Sequence, residues 1–197
     1  MALKCKSTYH LSLFNGDYEQ KSNAFLGKVE GNFSGSMFNL YSEVPASHLS
    51  AEVAATIVYT SKCFCCDLTT REVEVYVKDN SMRYYELEGT EFEEGRNLKD
   101  LYEIESNRRE GKIRRLVSKQ PRWNNEANTY SMNFHGRAKY GSVKNMILLE
   151  DGRRSREALL IAKQGDNDFA LDIGHPLSPM VGLGIVITSF DFKLATQ

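Results

Sequence analysis

"PMVGLGIVITSF", Pro179 to Phe190, carries no charged residue, and only Thr188 and Ser189 offer hydrogen-bonding side chains. Crossing the hydrocarbon core as a helix takes about 17 to 25 apolar residues, so the run is too short for a membrane and belongs inside protein. Its conformation stays open on these residues alone. Ile185, Val186, Ile187 and Thr188 are β-branched, as strands prefer, yet the run exceeds an ordinary strand, and periodicity cannot decide a segment apolar on every side. A helix that is hydrophobic all round belongs in the middle of a core.

Outward from that run the chain reads mainly β. "STYHLSLF", "NAFLGKVEG", "SMFNLYS", "EVAATIVYT", "EVEVYVK", "TYSMNFHG", "KNMILLE", "REALLIAK" and "DFALDI" are short, rich in β-branched or aromatic residues, and separated by Gly, Asn, Asp or Ser clusters. Phe25, Gly27 and Val29 alternate with Leu26, Lys28 and Glu30, the period-2 pattern of a half-buried strand. In "MILLEDGRRSREALLIA" the Asp151-Gly152 pair between two apolar runs predicts a tight antiparallel hairpin. Asn97 is placed to cap a short outer helix over "LKDLYEIE", with Leu98, Leu101 and Tyr102 on one face and Asp100 at the positive end of the dipole. Many short strands with few helical windows imply a sandwich or a barrel. With no repeat, low-complexity tract or Pro-rich linker, residues 1–197 are expected to form a single domain.

The net charge of −1 selects no partner, but its distribution is uneven. Glu86, Glu88, Glu91, Glu93 and Glu94 form an acidic stretch, and "RREGKIRRLVSKQPRW" supplies Arg108, Arg109, Lys112, Arg114, Arg115, Lys119 and Arg122. One reading is a pair of solvated loops that compensate each other. The other is a surface for an anion, either nucleic acid or a lipid headgroup. The basic segment lacks the interleaved aromatics of a single-strand platform, which ranks nucleic acid below lipid.

The amino terminus has no secretory pattern, so a cytoplasmic location is expected. Cys5, Cys63, Cys65 and Cys66 do not match the spacing of zinc hooks and read as small apolar residues on or near a strand. His10, His48, His135 and His175 belong to no HExxH motif, and neither a nucleophile elbow nor a dinucleotide fingerprint occurs. No enzyme activity, metal or cofactor is expected.

"PRWNNEANTYSMNFHGRAKYGSVKNMILL", Pro121 to Leu149, resembles the signature segment of the Tubby carboxy-terminal domain family, and "SFDFKLA", Ser189 to Ala195, resembles its terminal motif. "FLGKVEGNFSGSMFNLY", Phe25 to Tyr41, is similar to a strand pair of that family. The resemblance runs from about residue 23 to the end and is weak between Cys63 and Lys119. It implies a closed antiparallel β-barrel of about 10 to 12 strands, threaded by a hydrophobic helix that comes last in the chain. That would make Leu177 to Phe190 the helix, with Pro179 in its first turn. Gly182 and Gly184 would each cost about 1 kcal/mol relative to Ala, and would face strands that approach closely. Leu177, Met180, Val181, Leu183, Ile185, Val186, Ile187 and Phe190 would then face strands on all sides.

The resemblance also implies function. Family members bind phosphatidylinositol 4,5-bisphosphate at the membrane surface through basic residues and act as membrane-tethered adaptors, in animals delivering receptors to cilia. The implied location is peripheral, at the plasma membrane or cilium; of the candidate headgroup contacts Lys28 carries over from the family's Gly-Lys motif, while Lys21, Arg108, Arg109, Lys112, Arg114 and Arg115 are candidates on their charge. Two departures fall on that function. Glu30 stands where the family carries a headgroup arginine after the Gly-Lys motif, and between Phe14 and Gly27 Lys21 is the sole basic residue where the family has a basic hairpin. The alternative reading is therefore a Tubby-fold protein-interaction module without lipid binding, its protein partners unnamed by any motif. No amino-terminal tail for a trafficking partner is expected. Within the family-like segments Phe134 is expected in the core, Gly136 at a strand bend, Arg137 in an ion pair and Trp123 at the rim.

Overall fold

The computed structural model describes residues 6–19, 21–42, 52–64, 68–78, 97–108, 113–126, 128–151 and 153–191. Its strands are β1 (Thr8–Ser12), β2 (Phe25–Gly31), β3 (Met37–Ser42), β4 (Glu52–Phe64), β5 (Leu68–Lys78), β6 (Ile113–Ser118), β7 (Arg122–Asn124), β8 (Thr129–Ser131), β9 (Met146–Glu150), β10 (Arg153–Lys163) and β11 (Phe169–Ile173). The helices are α1 (Leu98–Arg108) and α2 (Pro179–Ser189). Nine strands form one antiparallel sheet in the order β1-β2-β3-β4-β5-β6-β9-β10-β11, and β7 pairs with β8 in a separate hairpin.

The sequence patterns explain most of these elements. In β2 the residues Phe25, Gly27 and Val29 are buried while Leu26, Lys28 and Glu30 are half-exposed. β9 and β10 form the expected antiparallel pair, with Arg153 opposite Glu150; Gly152 of the predicted turn lies outside the described residues. Asn97 caps α1, its Oδ1 accepting from the Asp100 amide at 3.0 Å. Leu98, Leu101 and Tyr102 of α1 pack with Val53, Val58, Tyr76 and Ile113 on the outer face of the sheet. A buried hydroxyl fixes the start of that helix: Thr56 Oγ1 accepts from the Leu98 amide at 2.9 Å and donates to Asn39 Oδ1 at 2.8 Å.

The apolar run is a helix. Ser178 is its N-cap, accepting from the Val181 amide, and Pro179 occupies the first turn, where its missing N–H costs nothing. All nine strands of the sheet send residues into the cluster around α2, among them Leu11, Val29, Leu40, Ile57, Val75, Leu116, Leu148, Ile161 and Leu171. The glycines allow close approach. A Cβ on Gly182 would stand 2.4 Å from Ile173 Cδ1, and one on Gly184 would stand 3.1 Å from Leu40 Cδ1. Burying Val181 and Ile185 at 6% and 0% exposure contributes about 1.5 to 3 kcal/mol each, which offsets the helix cost of the two glycines. The helix is not enclosed on every side, because Leu183 is 44% exposed.

The expected closed barrel is corrected. Among the described residues no ladder joins β1 to β11, so the sheet is open in its pairing. Both edge strands are only five residues long. The residues just after α2 touch strands at both ends of the order. On the β11 side, Phe169 meets Phe190 edge-on at 5.0 Å. On the β1 side, Tyr9 interacts with Asp191, just past the helix.

From β4, Tyr59 reaches α2. The Thr188 hydroxyl donates to Ile185 O at 2.8 Å, so its one proton is used and Tyr59 Oη, 2.7 Å away, donates to Thr188 Oγ1. Complete burial pushes the Tyr59 phenol up to about 12. The unfolded chain releases this proton near pH 10 and the folded protein holds it, so the stabilisation is complete below pH 10. It is lost as pH rises through 12, by about 2 to 3 kcal/mol. Denaturant titrations of the parent and of Tyr59→Phe from pH 8 to 12 should show their stability difference shrinking or reversing over that window. A constant difference would contradict the assignment.

Candidate functional site

Lys28 projects from the outer face of β2 because Gly27 and Val29 take the inner one. Its neighbours across the ladders are His10 and Tyr41, and those of Glu30 are Thr8 and Asn39. Gly27 makes this geometry possible: its φ is +154°, and a Cβ there would stand 2.1 Å from Tyr41 O. Only glycine lets β3 come this close. Lys28 Nζ lies 2.7 Å from Glu30 Oε1 and 5.2 Å from the centre of the Tyr41 ring. With the side chains 25% and 38% exposed, the pair is open to solvent and weak. An incoming anion meets an ammonium already paired with a carboxylate.

Lys21 lies exposed in the connection from β1 to β2. The basic segment is dispersed rather than gathered. Arg108 ends α1, with only its backbone described, and Arg109, Lys112 and the acidic stretch Glu86 to Glu94 lie outside the described residues. Of the two readings, solvated loops or an anion-binding surface, neither anticipates that most of the remainder is β6, a strand between β5 and β9 with Ile113 and Leu116 buried.

Arg114 and Arg115 point to opposite faces of β6. Arg114 stands opposite Val77 on the inner side, and its Nη1 lies 2.6 Å from Glu150 Oε1. Arg115 stands opposite Tyr76 on the outer side and bridges Glu74 and Asp151. Burial works against the Glu74 charge, yet hydrogen bonds from Tyr76 and Arg115 hold its carboxyl below the usual range. Burial and then the Glu74 hydrogen bond push the Tyr76 phenol well up. Sequence reasoning missed these carboxylates as partners. The spacing of Ile113, Leu116 and Val117, at i, i+3 and i+4, is a helical period, so it did not mark the strand that brings neighbouring strands' acids alongside.

A second ionic group sits at the family-like pentapeptide. Arg137 forms the expected ion pair, donating from Nε and Nη2 to the two oxygens of Asp172, each at 2.8 Å. His135 Nε2 and Lys119 Nζ both reach Glu157, at 3.0 Å. Despite burial, those hydrogen bonds hold the Glu157 carboxyl down. Phe134 packs on an outer cluster with Ile147 and Leu160. Gly136 lies in a turn at φ +74° rather than at a strand bend. Trp123 is 49% exposed, edge-on to Tyr130 across the β7–β8 hairpin.

A cavity of about 230 Å³ is lined by Ser42, Val53, Val77, Lys78, Met180 and Val181. Burial pushes the Lys78 amine down to about 8. Among the described residues, no group of three or more His, Cys, Asp or Glu side chains could hold a metal ion. Among them, too, no helix is long and apolar enough to cross a membrane.

A family model described as the Tub family matches residues 2–192. The chain is 25% identical to "Tubby-related protein 3" of Homo sapiens over 201 residues, covering 97% of this chain and 44% of the relative. It is 25% identical to "Protein king tubby" of Anopheles gambiae over 193 residues, covering 97% and 42%. A shorter match, 37% identical over 82 residues, joins it to "Tubby protein homolog 1" of Caenorhabditis elegans, covering 42% of this chain and 19% of the relative. The chain thus spans less than half the length of each of these relatives.

Proposed function

Because the chain belongs to the Tub family, we propose that it is a non-enzymatic, membrane-associated adaptor domain that binds a phosphoinositide headgroup through an altered site on the outer face of β2. The observation that carries this reading is Lys28, the residue of the Gly-Lys motif, held outward beside Tyr41 by the close β2–β3 approach at Gly27. Lys21 supplies a second exposed ammonium in the preceding connection. Several cations are needed, since one surface charge adds only about 1 kcal/mol of attraction to an anionic membrane.

A second reading, an interaction module that does not bind lipid, is favoured by one geometric fact: Lys28 is paired with Glu30 at 2.7 Å. Nucleic-acid association gains nothing from β6, because Arg114 and Arg115 hold carboxylates.

Sedimentation with vesicles containing or lacking phosphatidylinositol 4,5-bisphosphate separates the two readings. The headgroup reading expects pelleting that requires the bisphosphate lipid and weakens with salt. Equal and negligible pelleting in both vesicle types would leave the interaction module.

A further inference from the structure

Residues 13–24 connect β1 to β2 and expose three large apolar side chains: Leu13 at 65%, Phe14 at 68% and Tyr18 at 51%. The connection's described residues, 13–19 and 21–24, are held by hydrogen bonds. The Leu13 amide donates to Ala24 O at 2.9 Å and closes its base. Within it, Asp17 N bonds Phe14 O at 3.3 Å, Ser22 N bonds Glu19 O at 2.9 Å, and Tyr18 Oη donates to Asn15 Oδ1 at 3.2 Å. Gly16, two residues after Phe14, turns the chain at φ +89°, and Leu13 and Phe14 lie on the outside of the loop.

Scattered exposed apolar residues are ordinary, but two consecutive ones with a nearby tyrosine form a patch that calls for a covering surface. The loop offers Lys21 and leads into β2. Leu13 lies level with Ala24, whose carbonyl its amide bonds, and Lys28 follows four residues later, about 13 Å along the strand at roughly 3.3 Å per residue. An apolar tip sunk roughly 5 to 10 Å into the headgroup and acyl boundary therefore leaves Lys28 above it, on the headgroup side. Asp17 is turned inward, accepting from the Ser22 hydroxyl.

We infer that this loop is a membrane wedge. Leu13 and Phe14 enter the acyl boundary of a bilayer, Tyr18 sits at the interface, and Lys21 and Lys28 lie level with the lipid phosphates. The inference rests on the membrane-associated reading above and adds an apolar contact to it. Phe33 provides a control, since it is 61% exposed but sits in the turn between β2 and β3, at the opposite end of β2.

The test places the only indole in the loop, by combining Trp123→Phe with Phe14→Trp. The protein is mixed with vesicles of phosphatidylcholine and phosphatidylserine, with or without phosphatidylinositol 4,5-bisphosphate, in which part of the phosphatidylcholine is brominated on its acyl chains. The wedge predicts a blue shift and quenching of the introduced indole on vesicle binding. It also predicts that the double substitution of Leu13 and Phe14 by Ser weakens vesicle binding roughly tenfold, while Phe33→Ser leaves it unchanged. Quenching on vesicles lacking the bisphosphate lipid, with no gain from adding it, supports the wedge and removes the headgroup reading. Bisphosphate-dependent binding without quenching overturns the wedge and keeps the headgroup. No binding to any vesicle overturns both.

Discussion

Arg114→Met is expected to melt about 6 to 12 °C below the parent, corresponding to a loss of about 3 kcal/mol in a chain of this size. The cause is the carboxylate left behind. Glu150 is 7% exposed, and Arg114 Nη1 sits 2.6 Å from its Oε1. By register both residues occupy the inner face, Arg114 opposite Val77 and Glu150 opposite Leu116. Removing a guanidinium from such a position leaves a charge with little water around it. The expected loss stays at the low end of the range for broken buried pairs because Arg156 Nη1 remains 3.7 Å from Glu150 Oε2. Replacing both partners, Arg114→Met with Glu150→Leu, should recover most of the loss, since two apolar side chains leave nothing unsolvated. Thermal melts of the parent, the single and the double variant check this directly. A single variant melting with the parent would show that Arg114 is not structural, and its place among the headgroup residues would become the simpler account.

Glu30→Arg should tighten binding to vesicles containing the bisphosphate lipid about 30-fold. Attraction to an anionic surface runs at about 1 kcal/mol per unit of charge, and this substitution changes two units, so the gain is about 2 kcal/mol. It also frees Lys28 from its 2.7 Å partner. Folding should change little, because the Lys28–Glu30 pair is partly solvent-exposed and pairs of this kind contribute at most about 1 kcal/mol. Glu30→Gln, which removes the negative charge without adding a positive one, should fall roughly halfway in free energy. The gain should shrink as salt screens it. If sedimentation gives the same affinity for all three proteins, the outer face of β2 is not where the headgroup binds.

Much of the fold is legible locally. The alternation of Phe25 to Glu30 marks β2, Asp151-Gly152 marks the β9–β10 hairpin, and Asn97 marks the start of α1. Each is a signal within a few residues, carried by side-chain period, turn chemistry or a cap. The segment from Arg108 to Arg122 defeats that kind of reading. Its charge suggests a solvated surface, yet β6 lies inside it, and the partners of Arg114 and Arg115 are 36 and 41 residues away at Glu150 and Glu74. No local pattern reports which distant carboxylate a ladder will bring alongside. For the candidate site, Lys28 and its conflict with Glu30 could be read from neighbouring positions, because residues two apart share a face of a strand. The wedge could not, since exposure of Leu13 and Phe14 is a property of the finished surface.

By itself the sequence determined that the chain is mainly β, that Lys28 and Glu30 stand side by side, and that Pro179 to Phe190 belongs against protein, which holds for most of the run though Pro179 and Leu183 are exposed. Tertiary structure decided the rest of that run. Its β-branched residues and two glycines weaken it as an isolated helix, and it is helical because the cluster around Ile185 and Val181, with contacts at Ile173 and Leu40, rewards close packing around a narrow cylinder. Strand pairing was likewise settled in three dimensions: among the described residues no ladder joins β1 to β11, and Phe190 and Asp191, just after α2, touch strands at both ends of the sheet. Local sequence sets side-chain period and turn, but burial and long-range register depend on what the rest of the chain places opposite.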